Sequence, residues 1–232
     1  MADAAFPPGA RNLPGAFVQL IPDIVLFTPN IVLFQYNPAK ITRGLTPWNP
    51  FDTTTSAQGG AAPDVSPNPP DEKISFDLFL DAADPAQVDN PINIATGVAS
   101  RIAAIKKLAK PSQGLIGDLV KSAASLVGKG GEIAHRPTVP ITFLIFGPGL
   151  MLPVRLTSLS IEETMFTGLL YPIHAKVTVQ LQVLTPNLFR CREGFLSDLA
   201  IACWNLNELQ EDLLAVANLV NTGFDIAGLV QG

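Results

Sequence analysis

Three strand-like runs in the second half of the chain limit its possible folds more than any other feature. They cover residues 135–147, 153–163 and 173–183, and apolar side chains recur in them with the two-residue period of a β-strand. Glycine-containing turn sequences follow the first run and precede the last. The pattern predicts that a β-sheet forms the centre of the fold.

The first half of the chain adds further predicted strands. Residues 16–21, 24–27 and 31–36 are short and rich in β-branched and aromatic side chains. Prolines separate them and indicate turns or a sheet edge, because proline has no N–H to give to a neighbouring strand. Residues 73–81 alternate cleanly, with four apolar side chains on one predicted face and two further residues on the other. The first face has Ile74, Phe76, Leu78 and Leu80, and the second has Asp77 and Phe79.

Two segments change to the period of an α-helix. One covers residues 91–129, and the other runs from Gly194 to about Val220. The second contains a leucine-rich stripe that packs either on the core or on a neighbouring subunit; its residues are Leu206, Leu209, Leu213 and Val216. Residues 46–70 hold six prolines, which predict a long loop that orders only against a neighbour.

These elements predict an α+β fold, in the form of an antiparallel β-sandwich or barrel with a helical insertion and a C-terminal helix. Strands and helices do not alternate strictly, which argues against a parallel sheet. The predicted organisation is an N-terminal arm at residues 1–15, a β domain at 16–186 and a C-terminal helical extension at 187–232. The Pro-rich loop at 46–70 and the helical insertion at 91–129 interrupt the β domain.

The composition indicates a protein that is covered by partners. Charged residues make up 15% of the 232 residues and hydrophobic residues 47%, whereas a typical soluble domain has about 25% charged residues. Apolar surface left exposed usually marks an interface, so we expect an obligate oligomer; a compact monomer rich in alanine and leucine is the alternative. The formal net charge of −5 argues against a nucleic-acid-binding protein, which would present a basic face.

The sequence also bears on localisation. Its first residues lack a basic region followed by an apolar run, so no signal peptide is predicted. No uninterrupted apolar run reaches the ~20 residues of a membrane-spanning helix. We therefore expect the protein to be assembled in the cytoplasm.

Residues suited to catalysis are sparse. The two histidines, His135 and His174, lie in or beside predicted strands, where neither is placed for a Ser–His–acid triad. The neighbouring acids Glu162 and Glu163 point to opposite faces of a strand. The glycine-rich residues 128–131 lack the spacing of a phosphate-binding loop, and the two cysteines lack metal-ligand spacing. The sequence predicts no catalytic, cofactor or metal site, and therefore a protein that is not an enzyme.

Three short motifs occur in a distinctive order. Tyr36-Asn37-Pro38 ends a predicted strand, Phe76-Asp77-Leu78-Phe79-Leu80-Asp81 forms another, and His135-Arg136-Pro137-Thr138 opens the second group of strands. This series, over roughly residues 16–186, resembles the tube-like domain of baseplate proteins from contractile injection systems. The family usually has Phe at Tyr36 and a second Pro at Thr138. Many members also carry a C-terminal LysM-like module, where this chain has the apolar helical pattern.

The resemblance implies a structural role. Such a chain is a ring subunit in the baseplate, the hub or tube-initiating layer that joins the central spike to the inner tube. Related tube proteins form six-subunit rings in which the sheets of neighbours join into a continuous barrel around a channel. The implied partners are further copies of the chain, the spike protein, the inner tube protein and other baseplate subunits, without nucleic acid or membrane insertion. The implied particle stays intracellular, is anchored to a membrane or is released.

Two alternatives remain open at the level of the sequence. One is an inner tube, terminator or adaptor protein of a contractile phage tail, and the other is a small-ligand-binding or hydrolytic β-barrel protein. Aromatic residues and arginines are the candidate interface residues. The aromatic anchors are Phe34, Tyr36 and Trp48, and the candidates for ion pairs between subunits are Arg136 and Arg155. For each of them, core packing or solvation is the competing interpretation.

Overall fold

The computed structural model of the chain describes residues 13–22, 27–47, 69–84, 90–110, 140–189 and 194–230. These residues form seven strands, three α-helices and a short 3₁₀ helix at Pro186–Phe189. The strands are β1 (Ala16–Pro22), β2 (Phe27–Leu33), β3 (Ile41–Thr46), β4 (Asp71–Asp81), β5 (Thr142–Ile145), β6 (Met151–Phe166) and β7 (Pro172–Val183). The α-helices are α1 (Pro91–Thr96), α2 (Ala99–Ala109) and α3 (Phe195–Val230).

All seven strands belong to one sheet with the order β2-β1-β5-β6-β7-β4-β3, and every neighbouring pair is antiparallel. The predicted α+β class, the antiparallel pairing and the C-terminal helix are therefore confirmed. The described strands form a single sheet and not the two packed sheets of a sandwich. The long β6–β7 hairpin runs through its centre.

The sheet curls strongly. The rings of Phe17 on β1 and Phe76 on β4 stack with their centroids 6.1 Å apart, although three strands lie between β1 and β4 in the sheet. In a flat sheet these two strands would be ~19 Å apart, because neighbouring strands are about 4.8 Å apart. Phe34, just after β2, lies 5.1 Å from the ring of Phe17 and 5.7 Å from that of Phe76. Its position shows that the two ends of the sheet face each other across an apolar interior.

Helix α2 fills the interior left by this curvature. Its buried residues Ile102, Ile105 and Leu108 join the same apolar cluster as the inner side chains of β1, β4, β6 and β7. The chain enters the helix through Gly97, which has a φ of +55°. A β-carbon at Gly97 would lie 2.1 Å from the carbonyl oxygen of Pro172, so only glycine fits this approach of α1 and α2 to the start of β7.

The first turns of α3 cover the opposite face of the sheet. Ala200 and Cys203 are buried against Ile141, Phe143 and Phe189, and burial raises the pKa of the Cys203 thiol. The 3₁₀ helix at Pro186–Phe189 therefore supports α3 as well as ending β7. Two apolar layers result, one on each face of the sheet.

Several predicted boundaries differ from the structure. The sequence pattern predicts two strands at residues 24–27 and 31–36, and residues 24–26 lie outside the described residues. Strand β2 begins at Phe27, pairs with β1 and ends at Leu33, so the described residues 34–36 lie beyond it. Pro29 lies in β2 at the edge of the sheet, where its missing N–H costs no ladder hydrogen bond. The pattern does not predict strand β3. This strand is almost wholly exposed, so it carries no apolar alternation that could reveal it.

Parts of several predicted segments lie outside the described residues. These parts are residues 1–12 of the arm, 48–68 of the Pro-rich loop, 111–129 of the helical insertion, 135–139 of the strand-like run that His135 opens, and 190–193 and 231–232 of the C-terminal extension. Within the described part of the insertion, the predicted helix is two helices, α1 and α2, separated at Gly97. The predicted face of β4 is confirmed, since its four apolar side chains are buried while Phe79 is 51% exposed.

Candidate assembly surfaces

The polar side chains of the described residues form pairs and not a catalytic cluster. On the outer surface of β4 and β7, His174 Nδ1 lies 3.0 Å from Asp81 Oδ1, and Lys176 Nζ lies 3.1 Å from Asp77 Oδ2. The Thr178 hydroxyl donates to Asp77 at 2.6 Å. This hydrogen bond and the Lys176 ammonium lower the pKa of the Asp77 carboxyl. Among the described residues, no group of three or more His, Cys, Asp or Glu side chains could hold a metal ion.

The β6–β7 hairpin ends in an apolar tip, which we define as residues 165–171. Leu169 and Leu170 are 78% and 79% exposed, and Met165 and Phe166 are also exposed. The turn is well formed, because the Thr167 N–H donates to the Tyr171 carbonyl at 2.8 Å. Leu170 has a φ of +62°, a region that leucine rarely adopts. Large apolar side chains on an ordered, exposed turn indicate a contact surface.

Helix α3 presents a second apolar surface. Beyond Asn207, which is buried, its described contacts with the rest of the protein are polar, and the side chains of residues 211–223 are all exposed. We call the residues at heptad spacing from Leu206 to Val220 the α3 stripe; they are Leu206, Leu209, Leu213, Val216 and Val220, between 45% and 62% exposed. Leu214 and Leu219 add to it at 70% each. Among the described residues, the stripe therefore does not cap the core.

The last contacts of α3 with the body are polar. The Gln210 amide donates to the Pro148 carbonyl at 3.1 Å, and Arg43 on β3 donates to Glu211 at 3.0 Å. Arg43 also pairs with Glu72 on β4, and these hydrogen bonds raise its pKa. Burial, with repulsion from Glu211, Asp212 and Glu72, raises the pKa of Glu208. Among the described residues, carboxylates therefore outnumber cations where α3 makes its last contacts with the rest of the protein.

A third surface lies at the β2 edge of the sheet. Ile31 and Leu33 point outward from β2 and are 54% and 60% exposed. Between β2 and the helices α1 and α2 is a groove of about 520 Å³, which we call the β2 groove; its lining includes Ile31, Leu33, Ile92, Arg101 and Ala104. An apolar sheet edge of this kind is prone to pairing with another chain.

The predicted interface residues are placed very differently. Phe34 is only 3% exposed and packs between Phe17 and Phe76, so its ring is not accessible to a partner chain. Tyr36 is 42% exposed, and its hydroxyl donates to Asp84 Oδ2 at 2.8 Å. This hydrogen bond to a carboxylate raises the pKa of the Tyr36 hydroxyl.

Of the two predicted arginines, only Arg155 lies in the described part of the chain. Arg155 is exposed on β6 and makes no ion pair with a described residue. Arg136 and Trp48 lie outside the described residues. The sequence pattern alone does not identify the hairpin tip or the β2 groove. The tip could have been found from Leu169-Leu170-Tyr171, because three large apolar residues directly follow the Thr-Gly turn sequence.

Comparisons with known proteins add no relative. The chain matches no protein-family model, and it has no significant match among curated protein sequences. Within the ranges that the structure describes, no helix is both long enough and apolar enough to cross a membrane.

Proposed function

We propose that this chain is a structural ring subunit of the baseplate of a contractile injection system, in the layer that joins the central spike to the inner tube. The unclosed, curled sheet carries this proposal. Its edge strands β2 and β3 have no further neighbour among the described strands. A ring in which the sheets of adjacent subunits join would cover both edges, which a monomer would leave open to aggregation.

The exposed apolar surfaces support the same proposal. The hairpin tip, the α3 stripe and the β2 groove lie on different elements, and each leaves large apolar side chains exposed among the described residues. A subunit in a stacked ring has neighbours on both sides and layers above and below. The order of the Tyr36-Asn37-Pro38 and β4 motifs, by which the chain resembles tube-like domains, agrees with this arrangement.

A subunit of this kind works by shape. One face of the ring matches the spike and the other matches the inner tube, so that contraction moves them as one rigid body. The described residues suit such a role, because their polar groups form pairs within the sheet surface and between α3 and the sheet. An inner tube, terminator or adaptor layer would use the same ring geometry, and the identity of its axial partners distinguishes these layers.

Native mass spectrometry and negative-stain imaging of the purified protein test the proposal. We expect six-subunit rings with a central channel, either alone or when the spike and inner tube proteins encoded with it are co-expressed. Pull-down of both proteins by the ring supports the joining layer, while recovery of the tube protein alone supports a tube or terminator layer. A strict monomer in the presence of both candidate partners would overturn the proposal.

A further inference from the structure

We propose that, in this ring, the α3 stripe of one subunit packs into the β2 groove of the next subunit. The inference rests on the proposed ring and adds the contact that links adjacent copies. It makes each contact heterologous, with a helix on one subunit and a groove on the other, which is the type of contact that closes into rings.

The length and the surface of α3 leave a long apolar face that the described residues of its own subunit do not cover. The helix has 36 residues, which corresponds to ~54 Å at 1.5 Å per residue. Its described side chains from residue 211 to 223 are all exposed. Residues 213–220 read Leu-Leu-Ala-Val-Ala-Asn-Leu-Val, which is apolar on nearly every side. A helix that is apolar all round is stable in water only when it is buried.

The β2 groove has the form that such a helix needs. It is a surface groove of about 520 Å³ with exposed apolar side chains from β2 and α1, namely Ile31, Leu33 and Ile92. Docking a helix there would bury the apolar stripe together with the exposed apolar side chains of the groove. An amphipathic helix in an apolar groove is a common mode of recognition between chains.

Charge decides between this contact and a pairing of α3 with α3. Residues 195–230 contain five acidic residues and no Lys or Arg. Two α3 helices side by side would therefore repel each other, with Glu208 and Asp212 close to the stripe. Helix α2, which borders the groove, carries Arg101, Lys106 and Lys107 and no acidic residue. Arg101 lines the groove together with Asp84, and the two lysines follow farther along α2. The acidic helix α3 and the basic helix α2 are complementary in charge.

A further observation agrees with an electrostatic contact. The raised pKa of Glu208 reflects its burial and the surplus of carboxylates around it, which a cation from a neighbouring subunit would relieve.

The experiment uses two charge-introducing variants of the full chain, Leu213→Glu in the stripe and Ile31→Glu in the groove. Both positions are exposed, at 61% and 54%, so each variant should fold. Leu188→Glu, at a similarly exposed site outside both surfaces, is the matched control. Circular dichroism verifies folding, and native mass spectrometry, with light scattering at about 0.1 M and about 1 M salt, measures the oligomeric state.

We expect the wild type and the control to form rings, and each of the two variants to be monomeric. An equimolar mixture of the two variants should give heterodimers, because the intact helix of Ile31→Glu meets the intact groove of Leu213→Glu. High salt should raise the concentration midpoint of ring formation by about tenfold or more, since the contact pairs opposite charges.

Four results would overturn the inference. They are a monomeric wild type, rings that persist in either variant, a mixture that stays monomeric, and binding of the wild type to phosphatidylcholine vesicles that Leu213→Glu abolishes. Rings that persist in both variants leave the proposed function intact while removing this contact. Conversely, heterodimers from the mixture, with wild-type oligomers that bind neither spike nor tube protein, retain the contact and remove the baseplate function.

Discussion

The side-chain amide of Gln35 makes the same two hydrogen bonds to the Asp81 backbone that a neighbouring strand would make. The Asp81 N–H donates to Gln35 Oε1 at 2.9 Å, and Gln35 Nε2 donates to the Asp81 carbonyl at 2.7 Å. The two residues follow β2 and end β4, which lie near opposite edges of the sheet. One amide side chain therefore joins the two ends of the curled sheet. Arg101 on α2 reinforces it with a donated hydrogen bond of 2.6 Å to Gln35 Oε1.

Replacing Gln35 with Leu should reduce the free energy of unfolding by about 1–3 kcal/mol, because a partly buried backbone donor and acceptor lose their partners. Urea titration followed by circular dichroism measures the change. Gln180→Leu is the control, since Gln180 is exposed on β7 and should alter stability by less than about 0.5 kcal/mol. Equal effects of the two substitutions would contradict a joining role for Gln35.

Much of the fold could be predicted from the sequence because the inner face of the sheet is regular. On β4 the alternation of apolar and polar residues matches burial, from Ile74 at 0% to Leu80 at 4% exposure. Gln19 breaks the rule, since it is fully buried on β1 and donates to Thr142 Oγ1 at 3.2 Å. Its Nε2 is satisfied by tertiary contacts that the local pattern does not contain, while its Oε1 is buried without a hydrogen-bond partner among the described residues.

The candidate surfaces were harder to predict, because exposure is a property of the whole fold. Phe34 and Leu33 are neighbouring apolar residues, yet one is buried and the other is 60% exposed. The helical pattern of the sequence predicts the α3 stripe, but it does not show whether the stripe packs on the core or on a neighbouring subunit. Only the structure shows that α3 makes its last described contact with the sheet near Glu211.

Gly97 should not tolerate a side chain. Gly97→Ala places a β-carbon against the Pro172 carbonyl in a backbone conformation with φ of +55°, so we expect a loss of about 2–4 kcal/mol in the free energy of unfolding. Gly149→Ala is the control, because a β-carbon at Gly149 would have no other atom within 4 Å. Thermal and urea unfolding of both variants test the difference, and a Gly97→Ala protein as stable as the control contradicts it.

Asp77 should make stability depend on pH in the acidic range. Its pKa in the folded protein is lowered from 3.8 by the Thr178 hydrogen bond and by Lys176. A lowered folded-state pKa contributes stability above the unfolded value, and this contribution is lost as the pH falls through the folded value. Asp77→Asn should therefore be less stable than the wild type at neutral pH, and the difference should shrink below pH 3.8.

Urea titrations of both proteins, from about pH 2.5 to about pH 7, measure that difference. Asp71→Asn, at the exposed start of the same strand, is the matched control. A difference that stays constant over the whole pH range would show that the Asp77 carboxylate charge is not responsible. In that case the hydrogen-bonding geometry alone would account for the effect.

The hairpin tip should matter for assembly and not for folding. Leu169 and Leu170 are nearly four-fifths exposed, so Leu169→Asp with Leu170→Asp should change the free energy of unfolding by less than about 0.5 kcal/mol. In the proposed ring the same change places two charges in a contact surface, where unpaired charge is costly, and ring formation or binding of an adjacent layer should be lost. Native mass spectrometry and pull-down with the inner tube protein measure both steps, with Leu188→Asp as the control at 60% exposure. Normal rings that still bind both axial partners would show that the tip faces solvent in the assembly, and its apolar residues would then need another explanation.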